Sequence, residues 1–418
     1  MSVGTRNAPR ARGAGSLSGR VASVVAAPLR SEAGWVFPTA AFAASRVLFF
    51  AAGTIAARSI HGAVPATATV ESPGALHEWA HWDGAWYSGI AVHGYTHFVS
   101  PLSTNFFPLY PATMSLGLKL FGGPAAWGVS ISLVAGAVAF YFVYALADRL
   151  WGRPRAQAAT LALAFFPTSF FLNAVYTESL FLALTAGSLW ALYVRRNPLL
   201  AGVLGGFATA TRHVALFLVV PLALESLRHR RELGRRGLAA IALVPTGLLG
   251  YMAYLWHAYG HPLEFKKAAD DPQWRRSLDN PSDTLSRAWH EAGNGLRVAE
   301  HPLRVFDGTS PFPALVLAGV IGFAALVLCA VLLVLGLRLL PPALWLYGAA
   351  LALFPVLYAS GNFALFGYQR YFLAAFPLFY VLGAVLARSR LLLTAWLVAS
   401  SVVGVYLTAL FTTWRWVA

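Results

Sequence analysis

The sequence predicts an all-α polytopic integral membrane protein, and three observations carry that prediction. Hydrophobic residues make up 58% of the 418 and charged residues only 11%, where soluble domains carry about 25% charged residues. The mean hydropathy is +0.62. Apolar runs long enough to cross a hydrocarbon core about 30 Å thick recur along the chain, and the arginines lie between them. The net charge of +15 is therefore read as topology, and nucleic acid is not expected as a partner. Cys329 stands alone inside an apolar run, so no disulfide framework and no cysteine metal site are expected.

Taken in order, Met1 to Ser31 holds Arg6, Arg10, Arg12, Arg20 and Arg30 without an apolar stretch, and residues 1–34 are read as a disordered basic cytoplasmic tail. Residues 35–418 form the transmembrane domain. A first span from Trp35 to Ala57 delivers a polar and aromatic island, His77 to Pro111, to the outer face within a first outer loop, 58–125. The run Phe106 to Phe121 holds two prolines and Lys119. As a span it would place Arg149, Arg153 and Arg155 outside, so it is read as an interfacial helix on the outer surface.

Spans are expected at about Ala126 to Ala147, Gln157 to Ala174, Glu178 to Val194 and Leu199 to Ala210. Arg212 and His213 interrupt Leu199 to Leu227, which reads as a short hairpin with its tip outward. The run from Arg228 to Arg236 keeps the following turn inside. A span from Gly237 to Tyr259 leads to a long polar outer loop, 260–311. Within it, HPLEFKKAADDPQWRRSL reads as too polar to be buried, while amphipathic helices elsewhere in the loop would cover the cavity. Spans at about Phe312 to Leu337, Ala343 to Ala359, Tyr371 to Ala387 and Leu391 to Thr412 complete about eleven crossings, N-terminus inside and C-terminus outside. Arg338, Arg388 and Arg390 then fall inside. Glu71, Glu78, Asp83, Glu178 and the acidic residues of the long loop fall outside, as do all histidines but His229.

In this arrangement the ionisable residues in or beside the spans collect on one face: Asp83, Glu178, Arg212 with His213, and Tyr368-Gln369-Arg370. Such groups are expensive at membrane depth unless paired or functional, and their convergence predicts one outward-facing cavity. Arg46, mid-span in the first helix, is expected to face the bundle or snorkel outward, with no assigned role.

The motif HWDGAWYSGIAVHGY followed by NFFPLYP resembles the signature of the PIG-V-like mannosyltransferases, polytopic enzymes of the GT-C superfamily. The similarity extends into FFPTSFFLNAVYTESLFLAL and GGFATATRHVALFLVVPLALE, and more loosely into the later spans. The resemblance implies a GT-C-type fold and an inverting mannosyltransferase, and the arginine topology puts its site at the extracytoplasmic face of the plasma membrane. Its donor would be polyprenyl-phosphate mannose, and its acceptor the hydroxyl of a lipid-linked molecule, a glycan or a protein. Asp83 matches the loop carboxylate that acts as general base. Arg370, Arg212 and His213 are the cations offered to the phosphate. His81, Trp82, Trp86, Tyr87, His93, Tyr95, Glu178, Tyr368 and Gln369 complete the expected substrate-binding set. No cofactor is expected.

Plainer readings stand beside these. Asp83 and Glu178 can serve as helix-terminal carboxylates favoured by the dipole. Arg212 can satisfy carbonyls in a broken hairpin, and Arg370 can be an interfacial anchor. The tryptophans and tyrosines of the island, Trp79 and Tyr110 among them, fit an aromatic belt as well as a sugar platform. His81, His93 and His97 lack a recognised metal spacing, and no metal is expected. A lipid or solute transporter with gated pathways to both faces, or a catalytically silent scaffold, remains the alternative function.

Overall fold

The computed structural model describes residues 34–63, 75–97, 100–118, 123–308 and 310–417. The expected basic tail, Glu71 and the far end of the Phe106 to Phe121 run lie outside the described residues. The described chain is mostly helical. In order, the helices are α1 Val36–Ser59, α2 Asp83–His93, α3 Leu109–Gly117, α4 Pro124–Trp151, α5 Arg153–Ala164, α6 Glu178–Tyr193, α7 Pro198–Thr209, α8 Val219–Arg228, α9 Arg230–Leu243, α10 Thr246–Tyr259 and α11 Glu264–Asp270. After the strand β1 Arg276–Leu278 come α12 Pro281–Ala299, α13 Phe312–Leu339, α14 Pro342–Leu357, the strand β2 Tyr358–Ser360, α15 Tyr368–Ala374, α16 Pro377–Leu386 and α17 Arg390–Thr412.

Among the described residues, five helical stretches are long and apolar enough to cross a membrane: α1, α4, the nearly continuous pair α9 and α10, α13 and α17. The pair α15 and α16 makes a sixth if its 81° bend is counted within one span. The remaining expected crossings are shorter helices. The expected span Gln157 to Ala174 ends as a helix at Ala164, because Pro167 cannot continue it. The chain then runs through a buried, mostly irregular stretch to Glu178.

Non-helical backbone at such depth must find its hydrogen bonds within the protein. Here Arg46 supplies them from α1. Its guanidinium donates to the Ser169 carbonyl (2.5 Å), the Asn173 side chain (2.7 Å) and the Ala164 carbonyl (3.2 Å). Arg46 thus faces the bundle, buried, and its role is to stitch α1 to the broken segment.

The stretch around Arg212 is broken, as its mid-run charge predicts. α7 ends at Thr209, a short 3₁₀ segment runs from His213 to Leu218, and α8 follows. α3 is only nine residues long, about 13 Å and too short to cross. Its Tyr110 and Met114 are buried, with Tyr110 donating to the Gly128 carbonyl at 2.9 Å.

The long loop departs from expectation. Ala268, Ala269 and Trp274 are buried despite the polar run that holds them. Arg276–Leu278 pairs antiparallel with Tyr358–Ser360, Arg276 opposite Ser360 and Leu278 opposite Tyr358. Ser360 Oγ donates to the Trp274 carbonyl (2.6 Å), and Arg287 both donates to the Ser360 carbonyl (3.0 Å) and pairs with Asp279. The loop is therefore pinned at the start of the segment that leads to Arg370. α12 lays its small residues Ala288, Ala292 and Gly295 against α13.

Candidate active site

Asp83 opens α2 directly after a tight turn in which the Gly84 N–H donates to the His81 carbonyl at 3.0 Å. Trp82 occupies the first central position with φ 57° and ψ −119°, the geometry of a type II′ turn that normally calls for glycine. A tryptophan held there signals surroundings that over-determine the turn. Tyr176 does part of that holding: its hydroxyl donates to the His81 carbonyl and accepts from the Asp83 N–H, both at 3.2 Å. The Val175 N–H donates to the Trp79 carbonyl at 2.9 Å. The turn is therefore docked on the irregular segment that Arg46 secures.

Around Asp83 the structure brings four charges together. Asp83 Oδ2 accepts from Arg370 Nη1 at 2.5 Å. Arg370 Nε donates to Glu178 Oε1 at 2.6 Å, and the same oxygen accepts from Arg212 Nη2 at 2.6 Å. Arg212 Nε donates to Thr177 Oγ1 at 2.9 Å. The guanidinium of Arg370 also lies over the Tyr176 ring, 4.6 Å from its centre. The Glu178 side chain is only 2% exposed and that of Asp83 is 20% exposed. Two carboxylates and two guanidiniums thus neutralise one another, with Glu178 beneath and Asp83 towards the open side. Such pairing is what makes buried charges tolerable. Gly367, in the left-handed region at φ 75°, starts α15, and its carbonyl accepts the Arg370 N–H at 3.0 Å.

The open side is a cavity of about 370 Å³, at the low end of the range typical of small-molecule sites, roughly 300–1,000 Å³. Asp83, Tyr87, Arg212, His213 and Arg370 line it, as do Tyr371, Asn105 and Thr211. Aromatic rings supply much of the remaining wall, among them Phe106, Phe107, Phe265, Phe354 and Phe366. Burial pushes the Tyr87 phenol up to about 12, so it stays un-ionised.

Apart from the exposed His93, the other expected site residues lie behind this wall. His81 is buried, stacks on Trp414 at 3.9 Å and donates Nδ1–H to the Phe411 carbonyl at 3.1 Å. Burial pushes its imidazole down to about 3. Trp82 packs edge-on against Trp414 and Trp416. Trp86 stacks on Phe106. Tyr95 donates to the Phe106 carbonyl at 2.6 Å and packs against Tyr251. His93 is exposed at the end of α2. Tyr368 is buried, and Gln369 donates to the Ala318 carbonyl at 3.3 Å. No group of three or more potential metal ligands occurs among the described residues.

Two cations that sequence reasoning passed over also line the cavity: Lys266 and Arg276, from the polar stretch of the long loop. Arg276 donates Nη2 to the Phe366 carbonyl at 2.9 Å and lies over the Phe366 and Tyr371 rings. Among the described residues, neither forms an ion pair with a carboxylate. The signal that could have found them is Trp274, an aromatic set between charges two residues before Arg276.

Fold and site define a class: a mostly helical, multi-pass membrane protein with a carboxylate and arginine cluster at the mouth of an aromatic cavity. Residues 103–255, less than half of the chain, match the family model of the dolichyl-phosphate-mannose-protein mannosyltransferases. Glu178 and Arg212 fall inside the matched stretch, whereas Asp83, Arg276 and Arg370 fall outside it. A search of curated proteins finds no match. Among solved structures, the chain is similar to the oligosaccharyltransferase of Archaeoglobus fulgidus. The apo form shows 12% identity and a TM-score of 0.36, over 89% of this chain and 56% of that one. The form tethered to an acceptor peptide containing the NVT sequon shows 11% identity and a TM-score of 0.37, over 89% and 55%. The chain spans just over half the length of these proteins, and a likeness this distant supports no statement about activity.

Proposed function

We propose that the protein is a membrane glycosyltransferase that moves a hexose, mannose by its PIG-V-like motifs, from a polyprenyl-phosphate donor to an acceptor hydroxyl, with Asp83 as general base. The observation that carries this reading is the Asp83 carboxylate at the wall of an aromatic cavity that also holds cations. In the reaction the acceptor oxygen bonds to the anomeric carbon as the bond from that carbon to the phosphate oxygen breaks. The acceptor proton passes to Asp83, and the polyprenyl phosphate leaves as an anion, so no acid is needed to protonate it. Asp83 Oδ2 is held by Arg370, while Oδ1 has no hydrogen-bond partner among the described residues and is the oxygen free to take the proton. The family match over residues 103–255 supports a donor of the lipid-phosphate-sugar kind.

The phosphate falls to Arg276 and Lys266. Arg370 and Arg212 are already bonded to carboxylates, whereas the Arg276 fork retains donors for a bidentate contact. We place the cavity on the extracytoplasmic side of the plasma membrane, following the arginine distribution. A cysteine at Ser100 labelled by an impermeant reagent on intact cells tests that sidedness.

The chemical test is Asp83→Asn, which keeps the shape and removes the base. Transfer from labelled polyprenyl-phosphate mannose into a membrane lipid extract should fall by about 10²- to 10⁴-fold. Unchanged transfer would refute the mechanism.

A further inference from the structure

The segment Trp414-Arg415-Trp416, directly after α17, has no part in the transfer chemistry, yet its backbone and side chains are tightly constrained. Trp414 sits at φ 62°, in the left-handed region that non-glycine residues rarely occupy. Arg415 is fully buried and forms no ion pair among the described residues. A buried guanidinium is tolerable only when its donors are satisfied, and a guanidinium has five N–H groups. Arg415 uses them on five carbonyls: Val305 (2.9 Å), His61 (3.2 Å), Thr413 (3.2 Å), Phe306 (3.0 Å) and Gly308 (3.0 Å). The Ala63 N–H adds a bond to the Thr413 carbonyl at 2.9 Å. The segment is thereby fastened to two other loops.

What the fastening holds is a pair of indoles beside the site. Trp414 stacks on His81, the residue that opens the Asp83 turn. Trp416 meets Trp82 edge to face, 5.0 Å between centres at 87°, and stacks on Phe366, 4.7 Å at 14°. Trp82 immediately precedes Asp83 and carries the strained φ. Phe366 stands one residue before Gly367, whose carbonyl receives the Arg370 N–H. One indole is thus wedged between the backbone that presents Asp83 and the backbone that presents Arg370.

We infer that Trp416 is a positioning residue: anchored by Arg415, it maintains the Trp82 turn and fixes the spacing of Asp83 and Arg370. The inference rests on the reading of Asp83 as the base. Removing the indole frees the turn to relax towards an unstrained φ, and the carboxylate moves with it. Misplacement of a catalytic group by about 1 Å is enough to lower turnover about 10²-fold.

The test compares detergent-purified wild type, Trp416→Ala, Trp416→Phe, Asp83→Asn and the double variant Asp83→Asn/Trp416→Ala. Each is assayed with labelled polyprenyl-phosphate mannose and a membrane lipid extract. Trp416→Ala should lower kcat by about 10- to 100-fold in a preparation whose melting midpoint stays within about 5 °C of wild type, and Trp416→Phe should recover most of it. Because the effect passes through Asp83, adding Trp416→Ala to Asp83→Asn should lower the residual rate no further. Equal losses in both backgrounds, or a Trp416→Ala kcat within about threefold of wild type, overturn the inference. If the alanine variant does not fold, Trp416→Leu is read through the same cycle against the same outcomes. Full transfer by Asp83→Asn, or none by wild type, instead overturns the underlying reading.

Discussion

The two basic walls of the cavity differ in what their cations hold. On one side Arg370 and Arg212 are spent on Asp83 and Glu178, at 2.5–2.6 Å. On the other, Arg276 makes one hydrogen bond to a backbone carbonyl, and Lys266 faces the cavity with it. A guanidinium paired with a buried carboxylate is a structural element that orients its partner. A cation without such a partner is one that an incoming anion can neutralise. Under the proposed function, the first wall would present the base and the second would grip the phosphate.

The comparison breaks most visibly at Glu178. Replacing it with Ala leaves two buried guanidiniums facing a single carboxylate, and loss of one partner from a buried ionic cluster typically destabilises by about 3–5 kcal/mol. The expected result is a large fall in melting midpoint and in recovered protein. Glu178→Ala with wild-type stability and turnover would mean that the first wall is not a closed charge cluster.

A smaller effect sharpens the picture of the Asp83 turn. His81 is neutral in the folded chain, its imidazole held down to about 3, against 6.5 ordinarily. Between these values the unfolded chain binds a proton that the folded one does not, so stability rises with pH across that window. The contribution is complete above about 6.5 and is lost as pH falls towards 3, at up to about 1.4 kcal/mol per pH unit. His81→Gln should flatten the fall in melting midpoint between pH 6.5 and 4.5. An identical slope in both proteins would show that His81 does not titrate in this way.

Much of this was legible in the sequence, and the parts that were not share a physical cause. The polar island around Asp83 stands out in an apolar chain, and the broken hairpin at Arg212 declares itself by a charge in mid-run. What sequence spacing does not carry is pairing between distant residues. Arg46 looked idle because its acceptors, Ser169 and Asn173, lie far along the chain in a stretch that read as a span. Arg370 looked free because the carboxylates that occupy it, Asp83 and Glu178, lie far back along the chain. Arg276 looked solvated because its strand exists only through pairing with Tyr358–Ser360.

The division between the two walls is tested most directly by the kinetics of Arg276→Ala against donor concentration. KM for polyprenyl-phosphate mannose should rise by about 10- to 100-fold while kcat at saturating donor stays within about threefold, because donor binding is lost and the base remains in place. A fall in kcat with KM unchanged would contradict the division, and would return the phosphate to Arg370 and Arg212.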